Sequence, residues 1–163
     1  MAEAPLAALA GTGARMRVVT NSPEETIAFA RNFAKLLRAG DVVAFRGGLG
    51  AGKTTFTRGL SLGLGLGDNV TSPTFALVNE YRPKGGGAGL FHFDLYRLSS
   101  AEDAETTGYY DYLAEGGICA VEWSENAAAL FGAGTVFVEL LVLDESRREI
   151  RIYGDERFAD HRD

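Results

Sequence analysis

The sequence predicts an α/β domain in which a mixed central β-sheet is flanked by helices. Three observations predict it. The short apolar run Val42-Val43-Ala44-Phe45 has the character of a strand covered on both faces. It leads at once into a glycine-rich loop and then a segment with helical apolar spacing. Further on, Leu90-Phe91-His92-Phe93 and Ile118-Cys119-Ala120-Val121 repeat the buried-strand pattern and end on acids, Asp94 and Glu122.

Taken in order, residues 15–20 read as a short strand. Ser22-Pro23-Glu24-Glu25 then opens a helix: Ser22 can cap free N–H groups, Pro23 suits the first position, and Glu25 completes a capping box. Ile27, Ala30, Ala34 and Leu37 recur at helical spacing, Phe33 widens the stripe, and Gly40 is the expected stop. Residues 54–62 suit a second helix with Phe56 and Leu60 on one face, ended by Gly63-Leu64-Gly65-Leu66-Gly67. That G-x-G follows a helix, not a strand, so it carries no dinucleotide meaning. Thr71-Ser72-Pro73-Thr74 is a polar loop. Residues 75–81 read as a strand, joined through the glycine-rich stretch at 85–89 to the return strand ending at Asp94. Ser99 or Ser100 can cap a short acidic helix through Glu105. Residues 136–143 and 149–153 form a final hairpin around Asp144-Glu145-Ser146. The organisation is a leader over 1–14, expected to be disordered, one domain over 15–154, and a flexible tail over 155–163.

A chain of 163 residues is long enough to bury a real core. Its 46% hydrophobic and 23% charged residues are ordinary for a soluble globular protein. No apolar run approaches the roughly 20 residues needed to cross a bilayer. The small apolar leader has Arg15 and Arg17 after it and no basic segment before it, so it does not read as a signal peptide. One cysteine, Cys119, excludes an internal disulfide and any multi-cysteine metal site, and its apolar surroundings read as core. Two histidines, His92 and His161, are too few and too far apart for a zinc centre. These features point to the cytoplasm. A net charge of −6 argues against a chain that grips nucleic acid by itself.

The chemistry is concentrated in Gly47-Gly48-Leu49-Gly50-Ala51-Gly52-Lys53-Thr54, a complete G-x-x-x-x-G-K-T set between a buried strand and a helix start. This places the domain in the P-loop NTPase-like class. Without intruding Cβ atoms, backbone N–H groups from Gly48, Leu49, Gly50, Ala51, Gly52, Lys53, Thr54 and Thr55 can wrap phosphate oxygens at a helix N-terminus. Lys53 supplies a point charge at the β- and γ-phosphates, and the Thr54 hydroxyl is the expected magnesium ligand. Magnesium needs further oxygens, and P-loop proteins draw one from an acid at the end of a neighbouring strand. Asp94 and Glu122 are the candidates: one near the metal, the other near the attacking water, in an order left open. Thr71-Ser72-Pro73-Thr74 is either a switch that senses the γ-phosphate or a turn fixed by Pro73. Arg97 can neutralise phosphate or simply lie at the surface. Trp123 can stack on a base or fill core.

These segments together resemble the TsaE-type (YjeE) ATPases of bacterial tRNA threonylcarbamoyladenosine biosynthesis. The resemblance rests on Gly50-Ala51-Gly52-Lys53-Thr54-Thr55 with Arg58-Gly59, on Ser72-Pro73-Thr74-Phe75, on His92-Phe93-Asp94-Leu95-Tyr96-Arg97 and on Val121-Glu122-Trp123. It implies an ATPase acting with TsaD-type and TsaB-type partners, which transfer a threonylcarbamoyl group to adenosine 37 of tRNAs reading codons that begin with A. The tRNA is then met indirectly, through the complex, and no membrane is involved. It further implies that Thr54 and Glu122 serve magnesium, that Asp94 serves hydrolysis and that Thr74 belongs to the switch. Nucleotide contacts are implied at residues 22–26 and at Ser146. Glu122-Trp123 is followed by Ser124-Glu125, where the family commonly has a proline.

Two other classes stay in view. A small-molecule kinase usually carries an arginine-rich lid, and none is evident after the loop. A nucleotide-dependent binding module would use the same loop with incidental turnover. A GTPase is disfavoured because no N-K-x-D motif occurs. With no evident arginine finger or water-positioning glutamine, turnover by the isolated chain is expected to be slow.

Overall fold

The computed structural model describes residues 13–48, 50–73, 78–86, 89–95, 107–122 and 130–159. Among these, the strands are β1 (Met16–Thr20), β2 (Val42–Arg46), β3 (Val78–Tyr81), β4 (Leu90–Asp94), β5 (Ile118–Glu122), β6 (Val136–Val142) and β7 (Arg148–Tyr153). The α-helices are α1 (Pro23–Phe33), α2 (Lys53–Gly63) and α3 (Tyr109–Ala114). All seven strands join one sheet in the order β1-β7-β6-β2-β5-β4-β3. The pairs β6/β2, β2/β5 and β5/β4 are parallel, while β1/β7, β7/β6 and β4/β3 are antiparallel. The mixed sheet expected from sequence is therefore present. The continuous apolar runs occupy its parallel centre, where β5 is buried throughout.

One sheet face packs under α1 and α2, through Val43, Phe45, Leu90, Ala120, Val138 and Ile150 against Ala30, Phe33, Phe56 and Leu60. The other gathers Ala44, Phe91, Phe93, Cys119, Val121 and Phe137 around Tyr109 of α3. The α1 cap forms as expected, Ser22 Oγ accepting the Glu25 N–H at 3.1 Å. Helices α1 and α2 touch through Gly59: a Cβ there would lie 2.5 Å from Ala30 Cβ and 2.6 Å from the Ile27 carbonyl oxygen. None of the described helices is long and apolar enough to cross a membrane.

Several expectations shift. Helix α1 ends at Phe33 and passes through a 3-10 turn, Ala34–Leu36, before Leu37 turns extended. Gly40 is left-handed, at φ 84°, but belongs to the following turn. In that turn the Asp41 carboxylate accepts the Arg38 N–H at 2.6 Å. Residues 155–159, read as the start of a flexible tail, are packed. A 3-10 turn, Glu156–Phe158, buries Phe158 completely, 5.5 Å from Phe33 between ring centroids. Arg157 donates to both Asp41 oxygens at 2.9 Å. Helix α3 was not anticipated; at six residues it is too short to show a period. The acidic helix expected through Glu105 and the first part of the 75–81 strand lie outside the described residues, as does most of the leader.

Candidate nucleotide site

Strand β2 delivers the chain to the glycine-rich loop at the carboxyl end of the parallel strands. Gly50 and Gly52 adopt φ of 77° and 108°, which only glycine takes readily. Gly52 precedes the first turn of α2 with no side-chain cap, so the leading N–H groups of that helix have no partner within the helix. Such an end attracts anions. Gly50, Ala51, Gly52, Lys53, Thr54 and Thr55 line a cleft of about 320 Å³ together with Ser72 and Glu122. The Lys53 ammonium lies 3.1 Å from the Gly47 carbonyl and 3.5 Å from Glu122 Oε1.

The two candidate acids are direct neighbours. Strands β4 and β5 run parallel with Asp94 opposite Glu122 in register. Side chains two apart share a face, so His92, Asp94 and Glu122 all lie on the α1/α2 side with Leu90 and Ala120. Glu122 is 9% exposed, Asp94 half-buried, and His92 fully buried. His92 Nε2 stands 3.2 Å from Glu122 Oε2, and both atoms are buried. Burial pushes the Glu122 carboxyl up, but His92 and Lys53 outweigh it and hold the group below the ordinary glutamate value.

This arrangement fits magnesium. Among the described residues no group of three or more His, Cys, Asp or Glu is arranged so that it could hold a metal ion. Magnesium at a phosphate loop needs few protein ligands, taking the rest from phosphates and water. Glu122 Oε2 is buried without a hydrogen-bond partner, and its side chain lines the same cleft as Thr54. A hard carboxylate oxygen and a hydroxyl are suitable donors.

A second, smaller recess of about 70 Å³ adjoins the loop, lined by Pro23, Thr26, Gly50, Gly52, Thr55, Glu145, Ser146 and Arg148. It joins the first turn of α1, the phosphate loop and the final hairpin, which lie far apart in sequence. Ser146 sits in a turn that Asp144 organises by accepting the N–H groups of Ser146 at 3.0 Å and Arg147 at 2.9 Å. The Arg147 side chain and these N–H groups hold the Asp144 carboxyl at about 2.

The structure thus brings together Gly50, Ala51, Gly52, Lys53, Thr54 and Thr55 of the loop, with Glu122 beside them, Asp94 next to Glu122 on β4, and Ser146 in the adjoining recess, while Gly48 lines neither cleft and accepts the Ala51 N–H at 3.1 Å. Leu49, Thr74, Arg97 and Trp123 lie outside the described residues. Ser72 reaches the cleft, and the segment before it is pinned to β3: Thr71 N–H donates to Tyr81 Oη at 3.2 Å and Asn79 Nδ2 donates to the Thr71 carbonyl at 3.1 Å. Cys119 is buried, which raises its thiol to about 12, in keeping with a core role. His92 stood in the sequence as part of the His92-Phe93-Asp94 segment without a role of its own, and Arg148, one of two adjacent arginines, carried no distinguishing signal.

Fold and loop together define a phosphate-loop α/β protein. A family model described as "Threonylcarbamoyl adenosine biosynthesis protein TsaE" matches residues 20–150. The tRNA threonylcarbamoyladenosine biosynthesis protein TsaE of Treponema pallidum is 40% identical over 137 residues, covering 84% of this chain and 99% of that protein. Its counterpart in Aquifex aeolicus is 40% identical over 138 residues, covering 83% and 94%. The crystal structure of Bacillus subtilis YdiB superposes with a TM-score of 0.67 at 32% identity, over 88% of each chain. The chain belongs to the TsaE family.

Proposed function

We propose that this protein binds ATP with magnesium and hydrolyses it slowly, as the energy-supplying subunit of threonylcarbamoyl modification of adenosine 37 in tRNAs reading ANN codons. The observation that carries the reading is Lys53 and Glu122 side by side, 3.5 Å apart, in the cleft beneath an uncapped helix N-terminus. In this reading the loop N–H groups and Lys53 bind the phosphates. Thr54 and Glu122 would hold magnesium, which would supply positive charge against the phosphates. Asp94 stands beside Glu122, where it can orient the attacking water, and Thr74 senses the γ-phosphate. Trp123 and Ser146 meet the rest of the nucleotide. With a net charge of −6, the chain meets tRNA through TsaD-type and TsaB-type partners in the cytoplasm rather than directly.

The test combines nucleotide titration with phosphate release in the absence of any acceptor. Wild type should bind ATP more tightly with magnesium and release phosphate slowly, faster with its partners present. Lys53→Ala removes a charged hydrogen bond to phosphate and should lose about 10- to 150-fold in affinity. Glu122→Gln should lose mainly the magnesium-dependent part. Asp94→Asn should still bind ATP while phosphate release falls by about a hundredfold or more. No phosphate release without an acceptor, alone or with partners, would point to a kinase. Normal repeated modification by Asp94→Asn would make hydrolysis incidental.

A further inference from the structure

Arg148 opens β7, and its guanidinium is occupied by main-chain oxygens of the distant phosphate loop and of its own hairpin turn. Nε donates to the Ala51 carbonyl at 3.2 Å and Nη2 to the Gly50 carbonyl at 3.1 Å. Nη1 donates to the carbonyls of Asp144 at 2.7 Å and Arg147 at 2.9 Å, with Glu145 at 3.4 Å. One side chain therefore fastens the phosphate loop to the turn of the β6–β7 hairpin, across 97 residues of sequence.

We infer that Arg148 is a positioning residue that sets the orientation of the phosphate-loop peptides and joins the phosphate cleft to the recess beside the hairpin. A peptide unit is planar, and its C=O and N–H point in opposite directions. Holding the Gly50 and Ala51 carbonyls toward Arg148 turns the N–H groups of Ala51 and Gly52 to the other side. Ala51 N–H does point into the loop, to the Gly48 carbonyl at 3.1 Å. Glycines leave this loop free to adopt other conformations, many of which would present carbonyl oxygens to an anion. Two donor nitrogens of one rigid plane, Nε and Nη2, restrict that freedom, and the permanent positive charge favours phosphate nearby. The same fork holds the turn carrying Ser146, so the two clefts keep a constant relation.

This inference rests on the nucleotide reading above, and the test separates the two. Wild type, Arg148→Gln and Arg148→Lys are titrated with magnesium-ATP and with inorganic tripolyphosphate, well below their melting temperatures, and their KM and kcat for ATP are measured. Tripolyphosphate reports the loop alone, because it lacks base and sugar. Arg148→Gln should weaken both ligands by about 10- to 100-fold, as expected when charged hydrogen bonds that shape a site are lost. KM should rise more than kcat falls. Arg148→Lys keeps the charge and guards against simple misfolding. A single ammonium cannot reproduce the fork, so it should recover only part of the loss. Wild-type affinity for tripolyphosphate in Arg148→Gln would overturn the inference, as would full recovery by lysine. Failure of wild type itself to bind either ligand would instead overturn the nucleotide reading and the inference with it.

Discussion

Replacing Gly59 by alanine sets two effects of opposite sign against each other, and the structure decides between them. In an exposed helix the change is favourable by about 1 kcal/mol, because alanine is the better helix former. Here the new Cβ would lie 2.5 Å from Ala30 Cβ, about 1 Å short of ordinary carbon contact at roughly 3.5–4.0 Å. It would also lie 2.6 Å from the Ile27 carbonyl oxygen and 3.2 Å from the Arg31 nitrogen, both main-chain atoms of α1. None of these is the end of a flexible side chain, so α1 and α2 must part. Overpacking of this kind costs about 1–3 kcal/mol, and contacts this rigid belong at the upper end. The net expectation is a loss of about 2 kcal/mol, or a melting temperature lower by about 4–8 °C for a domain of this size. Helix α2 begins with Lys53 and Thr54, so nucleotide affinity should fall as well. Thermal and urea unfolding with unchanged denaturant slope would measure the stability term. A melting temperature raised by about 2–4 °C, as propensity alone would give, would refute the close packing of these helices.

Two further outcomes follow from other parts of the molecule. Phe158→Ala should cost about 3–5 kcal/mol, because it empties a fully buried site against Phe33; unchanged urea stability in this variant, or after removal of residues 155–163, would show the turn to be dispensable. The Glu122 carboxyl titrates below its ordinary value of 4.5 when folded, so its charge stabilises the native state above that pH and the contribution disappears as pH falls through the folded value. The stability difference between wild type and Glu122→Gln should therefore shrink on acidification below about 4.5, and a difference constant from pH 7 to pH 3 would contradict the contacts with His92 and Lys53.

The parallel core and the phosphate loop were legible because each depends on local pattern: Val42 to Phe45 apolar without interruption, then glycines at fixed spacing before Lys53. The two acids were legible as strand ends, but not as neighbours. Parallel register follows from how the crossover connections pack, and nothing in the residues around Asp94 says that it lies opposite Glu122. Arg148 was illegible for a related reason. Its partners are carbonyl oxygens, which every residue carries, so no complementary side chain marks the contact. Residues 155–159 were misread because one phenylalanine and one arginine suffice to hold them, and a pair of residues makes no periodic signal. His92 was noticed, but a histidine in an apolar run looks the same whether it fills space or faces a carboxylate.

The strand order also has a consequence for how the protein is made. Strand β2, which leads into the phosphate loop, lies between β5 and β6, and among the described residues β1 pairs with β7 alone. When β2 leaves the ribosome neither of its neighbours exists, and β1 waits until residues 148–153 have been made. Contacts this distant are slow to form, because a long loop must close before they contribute. The central strand of the sheet is thus synthesised before both of its neighbours, and until residues 118–142 have emerged its hydrogen-bonding edges are open to wrong partners.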